Sequence, residues 1–439
     1  MSKDNWYLTA AGVLARFSLP LVLSGMLQQL YNWADAFIVG HYIGEEALAA
    51  IGATGTVTGC VIYAIVGFTT GLSILAAQKY GHGEEEQVSE IQYSFLKILI
   101  PAGAVISVLG IVGTDFILRL MNTPENMLVH SVNYLRIILI GIPILMTYNL
   151  FAALLRAIGD SKAPFLAVLL SSVINVILDM LFVIRFHWGV SGAAAATILS
   201  QAAMTSFIVM YGSRKHKVLN LYLRMKEQGE HPTVLREGMT FAIPLTIQQS
   251  INAFGHVVLQ NFMNGFGSHS VAAITSAYRV DSIMLLPMMQ LGTAISTMVA
   301  QSKGAGDTRR EKRFSITGLG MSVFAATILM VTMYYLGGHF VRFFGVNEEA
   351  AMIGAQFFRN ISLYYLPCGI GSSLRGTIEG KGHVAWTSSI GITALLLRII
   401  MSYVLKAPLG NMAVAHAEGI QWVFMLICYI LFFIWKGKR

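Results

Sequence analysis

The chain is a succession of apolar segments, each about as long as a bilayer is thick, and few architectures can accommodate that. Some twenty apolar residues rising 1.5 Å each match a hydrocarbon core of about 30 Å. Such segments, broken by Gly, Pro and charge runs, fall at 17–39, 53–78, 93–119, 131–152, 164–186 and 190–212. After a polar stretch they resume at 239–266, 272–301, 314–344, 354–374, 385–405 and 408–435. Only 12% of the residues are charged, against about a quarter in a soluble domain. The reading is an all-α integral membrane protein with twelve transmembrane helices. No small-residue cleavage site closely follows "MSKDNWYLTAAGVLARFSLPLVLSG", so the first span is expected to be retained rather than removed as a signal peptide.

Orientation follows from the 30 Lys and Arg. With both termini cytoplasmic, 22 lie inside, four outside (Arg119, Arg185, Arg342, Lys406) and four within spans (Arg136, Arg279, Arg359, Arg398). That asymmetry is the positive-inside pattern of an even number of crossings in a cell membrane. It accounts for the net charge of +8 without nucleic acid. The basic stretch 213–236 reads as a cytoplasmic linker facing anionic lipid, chiefly a topology determinant. Cys60, Cys368 and Cys428 lie far apart in apolar runs, so they build neither a disulfide framework nor a metal site and read as buried small apolar residues.

The chain repeats itself. "FSLP" at Phe17 returns as "FAIP" at Phe241, "GEEALAAI" at Gly44 as "GSHSVAAI" at Gly267, and "AQKYGHG" at Ala77 as "AQSKGAG" at Ala300. "YLR" at Tyr134 returns as "FFR" at Phe357. All offsets are 223 or 224 residues, so residues 1–212 form one six-span lobe and 237–439 another, joined by 213–236. Six is even, so the repeats run parallel, two six-helix bundles related by a pseudo-two-fold axis along the membrane normal, with a cavity expected between them.

The repeat is also a control on each polar residue. Asp35 lies in an apolar span, where a carboxylate costs roughly 2.5 to 3.5 kcal/mol at mid-bilayer, yet its counterpart is Leu259. The acid is special to the first half. At helical steps it is joined by Gln28, Tyr31 and Asn32, while span 5 carries Ser171, Asn175 and Asp179 at i, i+4 spacing. Two carboxylates with amides beside them are cheapest when they face each other across a cavity, and Tyr134 and Thr197 enter at similar depth. Such a set suits a proton or sodium ion, since low dielectric favours a neutral carboxyl and oxygen donors suit a hard cation. The bland alternative leaves both acids near the headgroups, solvated or paired with Arg185.

In the second half Gln248, Asn252 and His256 form a stripe on span 7 that reads as a cavity wall, with His256 either a proton relay or a satisfied core histidine. On span 8, Met284 and Met288 offer thioethers that could line an adaptable apolar site or simply fill the core. Pro20, Pro143, Pro244, Pro287 and Pro367 permit kinks. "GATGTVTG" at Gly52 lacks the Lys and the following Ser or Thr of a phosphate loop, so neither nucleotide nor cofactor is expected.

"ADAFIVGHYIGEEALAAIG", "AQKYGHG", "AQSKGAGD", "LLRAIGDSKAP", "LRGTIEGKG" and the Asn175, Asp179 pair together resemble the multidrug and toxic compound extrusion (MATE) family over essentially the whole chain. The resemblance implies a two-lobe antiporter that exports amphiphilic, often cationic organic compounds by alternating access, coupled to inward proton or sodium flow. It maps the first-lobe cation site of that family onto Asp35, Asn175 and Asp179, and onto Tyr134 and Thr197 by position. One sodium-driven branch carries second-lobe acids on spans 7 and 10, where this chain has Gln248, Gln249, Cys368 and Gly369. Substrate is expected to touch Gln28, Tyr31, Asn32, Gln248, Asn252, His256, Met284 and Met288, in a monomer surrounded by lipid. The rivals are a lipid-linked precursor flippase, which would need a more cationic cavity, and a membrane acyltransferase built on His256 with Asn252 or His416.

Overall fold

A computed structural model describes residues 3–220, 232–342 and 348–437, and every regular element in them is helical. Three long helices come first, α1 (Lys3–Tyr42), α2 (Glu45–His82) and α3 (Glu85–Leu120). The fourth span is broken into α4 (Glu125–Ile140) and α5 (Ile142–Ala157), which meet at 47° across Gly141. Pro143 stands at the start of α5, where its missing N–H is no loss. The fifth span, α6 (Lys162–Asp179), loosens into a π turn over Met180–Arg185, and α7 (Gly189–Lys215) ends the first half with a 3-10 turn at Lys217–Leu219.

The second half runs α8 (Pro232–Asn264), α9 (Ser268–Met284), α10 (Leu286–Gly304) and α11 (Thr308–Arg342). It continues through α12 (Glu348–Ile361), a 3-10 turn at Ser362–Tyr364, α13 (Tyr365–Gly380), α14 (Val384–Val404), the short α15 (Lys406–Leu409) and α16 (Ala413–Gly437). Each of the twelve expected spans thus corresponds to one helix or one broken pair. Nine stretches among the described residues are long and apolar enough to cross a bilayer, ten with the bent α4–α5 pair. α8 is long enough but does not qualify, because Gln248, Gln249, Asn252, His256 and Gln260 dilute its apolar face.

Helix extends into both ends of the stretch read as the linker 213–236: α7 continues to Lys215 and α8 begins at Pro232, while residues 221–231 lie outside the described ones. Of the three cysteines only Cys368 is buried; Cys60 and Cys428 are half-buried, because the lipid-facing side of a span tolerates a small apolar thiol as well as its core does.

The repeat is visible in the backbone. Gly83 and Gly306 take φ of +86° and +69°, and Gly159 and Gly382 take +95° and +85°, left-handed turns in register at the 223-residue offset. By packing, the chain divides into one unit of Met1–Val22 with Ile247–Arg439 and another of Leu23–Thr246. Both cuts fall two residues after a proline inside a helix, Pro20 in α1 and Pro244 in α8. In the first unit Leu14, Phe17 and Leu21 of α1 pack with Leu291, Ile295 and Met298 of α10. In the second, a Cβ on Gly71 of α2 would lie 2.4 Å from the Phe241 carbonyl oxygen of α8. Gly71→Ala is therefore expected to cost roughly 1 to 3 kcal/mol, read as a lower thermal midpoint in detergent.

Asp160, in the turn between α5 and α6, ties that corner together. Its Oδ1 accepts from the Lys162 and Ala163 amides at 3.2 and 3.1 Å, covering orphan N–H groups of α6. Its Oδ2 accepts from Tyr211 Oη at 3.1 Å and Lys215 Nζ at 3.2 Å, with His216 Nε2 at 3.0 Å. Burial pushes the Asp160 carboxyl up, but His216, the Ala163 amide and Lys215 together hold it below the ordinary carboxylate range. Such a depressed group contributes stability above its unfolded pKa of about 3.9 and loses that contribution as pH falls. Asp160→Ala should cost about 1 kcal/mol near neutrality, and thermal melts should show the gap to wild type closing as the medium becomes acidic.

Candidate functional site

Within the Leu23–Thr246 unit, α1 and α6 bring Asp35 and Asp179 together. Asn175 and Asp179 are 1% and 0% exposed, and Asp35 is half-buried with its carboxylate within hydrogen-bonding reach of that of Asp179. Tyr31 and Tyr134 lie within electrostatic reach of both acids. Tyr134 is held in a small core of Ile38, Val39, Val183, Ala193 and Ala194, supplied by α1, the π turn and α7. Thr197 lies one turn further along α7, its hydroxyl donating to the Ala193 carbonyl at 3.0 Å.

Helix geometry sets the depth. Asp35 is seven residues from the end of α1, and Asp179 six from the end of the π turn. Tyr134 and Thr197 are nine and eight residues into α4 and α7. At 1.5 Å per residue these positions sit ~9 to 14 Å from the helix ends. Arg185 is exposed and forms no ion pair with Asp179 among the described residues, so the headgroup-pairing alternative has no contact behind it. The π turn directly after Asp179 widens the helix at the acid, a common placement for such turns near functional groups.

The chemistry of the pair lies in what it lacks. Asp35 Oδ1, both Asp179 oxygens and both polar atoms of Asn175 are buried without a hydrogen-bond partner among the described residues. Two ionised carboxylates offer acceptors only, so neither can satisfy the other. Two unit charges about 4 Å apart repel by roughly 4 kcal/mol at an effective dielectric of about 20. A proton shared between them, or a small cation held by their oxygens and the Asn175 amide oxygen, removes both the repulsion and the unsatisfied acceptors. Beside the pair, α1 and α6 flank a cleft of about 400 Å³ lined by Leu27, Leu30, Tyr31, Ala34, Ser172 and Val176 among others. Gln28 and Asn32 are exposed. Sequence reading passed over Tyr148 of α5, which lies within electrostatic reach of Tyr31 and Arg156 and extends the aromatic hydroxyl set.

The second-half candidates belong to the other unit. Gln248 is buried against Gly391 of α14, with Oε1 unpartnered among the described residues. Asn252 donates to Gln249 at 2.9 Å, and His256 lies within electrostatic reach of Arg398 and Glu418. His416 meets the Tyr364 hydroxyl at 3.2 Å. In this conformation Met288 is 1% exposed within a core that Met284 borders, its sulfur close to Gly369. Sequence reading missed a buried network here: Arg398 Nη2 donates to Glu418 Oε2 at 2.8 Å and to Tyr278 Oη at 2.9 Å, and Tyr365 donates to Asp281. The repeat control would have flagged it, since Asp281 corresponds to Thr58 or Val57 and Glu418 to Ala195 or Ala194. Among the described residues no three or more His, Cys, Asp or Glu groups converge as a metal site.

Asp35→Asn replaces carboxylate repulsion with an amide able to donate to Asp179. The variant is expected to be as stable as wild type, or up to about 2 kcal/mol more stable, in alkaline medium. Thermal unfolding of the purified protein checks this, and a marked loss of stability would contradict the repulsive pair.

Residues 20–181 and 244–404 each match the model of the MatE family, one match per half. The probable multidrug resistance proteins YpnP and YoeA of Bacillus subtilis (strain 168) are each 28% identical to the chain over 438 and 441 residues. The alignments cover 97% of this chain and 96% and 94% of theirs. A crystal structure of a MATE protein in the bent conformation shares the fold with a TM-score of 0.89 at 21% identity, covering 100% of this chain and 98% of that one. With the family model matching both halves, the chain belongs to the MatE family, that of the twelve-helix multidrug efflux transporters of the membrane.

Proposed function

We propose that the protein is a proton- or sodium-coupled antiporter that exports amphiphilic, often cationic organic compounds, with Asp35 and Asp179 as the coupling pair and both termini in the cytoplasm. The observation carrying this reading is the meeting of two carboxylates, from α1 and α6, with no donor among the described residues to satisfy them. A repulsion of roughly 4 kcal/mol, switched off when one proton or cation binds, is enough to shift a two-state equilibrium about a thousandfold. Asn175 supplies an amide oxygen to the bound cation, and Tyr31 and Tyr134 supply hydroxyls that polarise the pair. The apolar cleft beside Tyr31 offers an amphiphile a place for its hydrocarbon part. Gln28 and Asn32, with Gln248, Asn252, His256, Met284 and Met288 of the second half, are the residues we assign to substrate contact at some stage of the cycle.

Kinship with proteins named for multidrug resistance supports the substrate class. Alternating access is supported by the two prolines, Pro20 and Pro244, lying where the packing units divide. A flippase for lipid-linked diphosphates is less well supported, because the buried Arg398 is already committed to Glu418. We take the protein to act as a monomer and without an organic cofactor.

Inverted membrane vesicles provide the test. Wild type should accumulate ethidium when a pH gradient or a sodium gradient is imposed, and whichever gradient works identifies the ion. Asp35→Asn and Asp179→Asn should each reduce accumulation to that of vesicles without the protein. Undiminished transport in the double amide variant would overturn the coupling role.

A further inference from the structure

We propose that the second half carries its own proton-binding site, the carboxyl group of Asp281, which takes up and releases one proton independently of the Asp35–Asp179 pair. Three buried charges meet in this unit: Asp281 on α9 is 2% exposed, Arg398 on α14 and Glu418 on α16 each 7%. Two acids share one base. Arg398 is bound to Glu418 at 2.8 Å and spends its other contact on the Tyr278 hydroxyl. Among the described residues Asp281 therefore receives only a neutral side-chain donor, the hydroxyl of the fully buried Tyr365 on α13. One negative charge is left over, and one added positive charge makes the set neutral.

The side chain bonded to Asp281 among the described residues is a hydroxyl donor, and no three His, Cys, Asp or Glu groups converge there, which suits a proton and not a hard metal cation. The other titratable groups within electrostatic reach of the network are His256 from α8 and Cys368 from α13. α11 and α12 contribute Leu329, Met333, Phe357 and Phe358 to the adjoining core. Arg279 on α9 and Arg359 on α12 are exposed and form no ion pair with either acid among the described residues. The Nε of Arg398 is buried and without a partner among the described residues. The site is not a copy of the first-half pair: at the 223-residue offset Arg398 stands where the first half has Asn175, and Ser402 where it has Asp179.

Infrared difference spectra of the purified full-length protein, acid minus alkaline, read protonated carboxyl groups directly through their C=O stretch. Wild type should show a band that Asp281→Asn abolishes while the band removed by Asp35→Asn persists. Tyr365→Phe keeps the acid but deletes its donor, so it should shift the band without removing it, which also covers an Asp281→Asn protein that fails to fold. A spectrum unchanged in Asp281→Asn, or a band unmoved in Tyr365→Phe, overturns the proposal. Loss of bands only in the Asp35 and Asp179 variants would overturn it and leave the first-half coupling reading standing. A band lost only with Asp281 would support it and remove that reading's basis.

Discussion

In hydrocarbon each backbone N–H and C=O must find its partner inside the chain, and this requirement shapes the molecule down to its irregularities. It permits helices, and it makes each departure from a helix a place where something else compensates. The π turn follows Asp179, the break at Leu285 lies one turn after Asp281, and the 3-10 turn at Ser362–Tyr364 leads directly into Tyr365. The Leu285 amide returns to the Asp281 carbonyl at 2.9 Å, so the helix end itself is satisfied. At these three places irregular backbone and buried polar side chains occur together.

The two halves share backbone and differ in charge. The left-handed glycines keep their register across the repeat, because they close the same turns in each copy. The ionisable residues do not. At the repeat offset Asp35 corresponds to Leu259, and Asn175 and Asp179 to Arg398 and Ser402. A duplicated scaffold requires the turns twice but not the acids. Among the described residues the Asp35–Asp179 pair meets no base, whereas Asp281 and Glu418 of the second half gather around one arginine.

Much of the first-half site was legible because its members lie on short stretches of two helices. Gln28, Tyr31, Asn32 and Asp35 fall at helical steps on one segment and Ser171, Asn175 and Asp179 on another, so periodicity alone set them on faces. The second-half network was not legible in that way. Tyr278 and Asp281, Tyr365, Arg398 and Glu418 contribute one or two residues from each of four helices, and no periodicity links them. Arg398 could be counted as a charge inside a span but not paired. Met288 shows the reverse limit: a thioether suits an adaptable cavity and a dry core equally, and only packing distinguishes them.

From residue order alone came the membrane class, the twelve helical segments, the duplication and the anomaly of an acid opposite a leucine, since all of these rest on hydropathy and spacing along one dimension. Only the tertiary structure decided which carboxylates meet, that no donor among the described residues accompanies them, and that the packing units divide just past Pro20 and Pro244 rather than at the basic linker. The physical reason is that helical periodicity sets the direction in which a side chain leaves its own axis, whereas contact between axes depends on how whole helices pack.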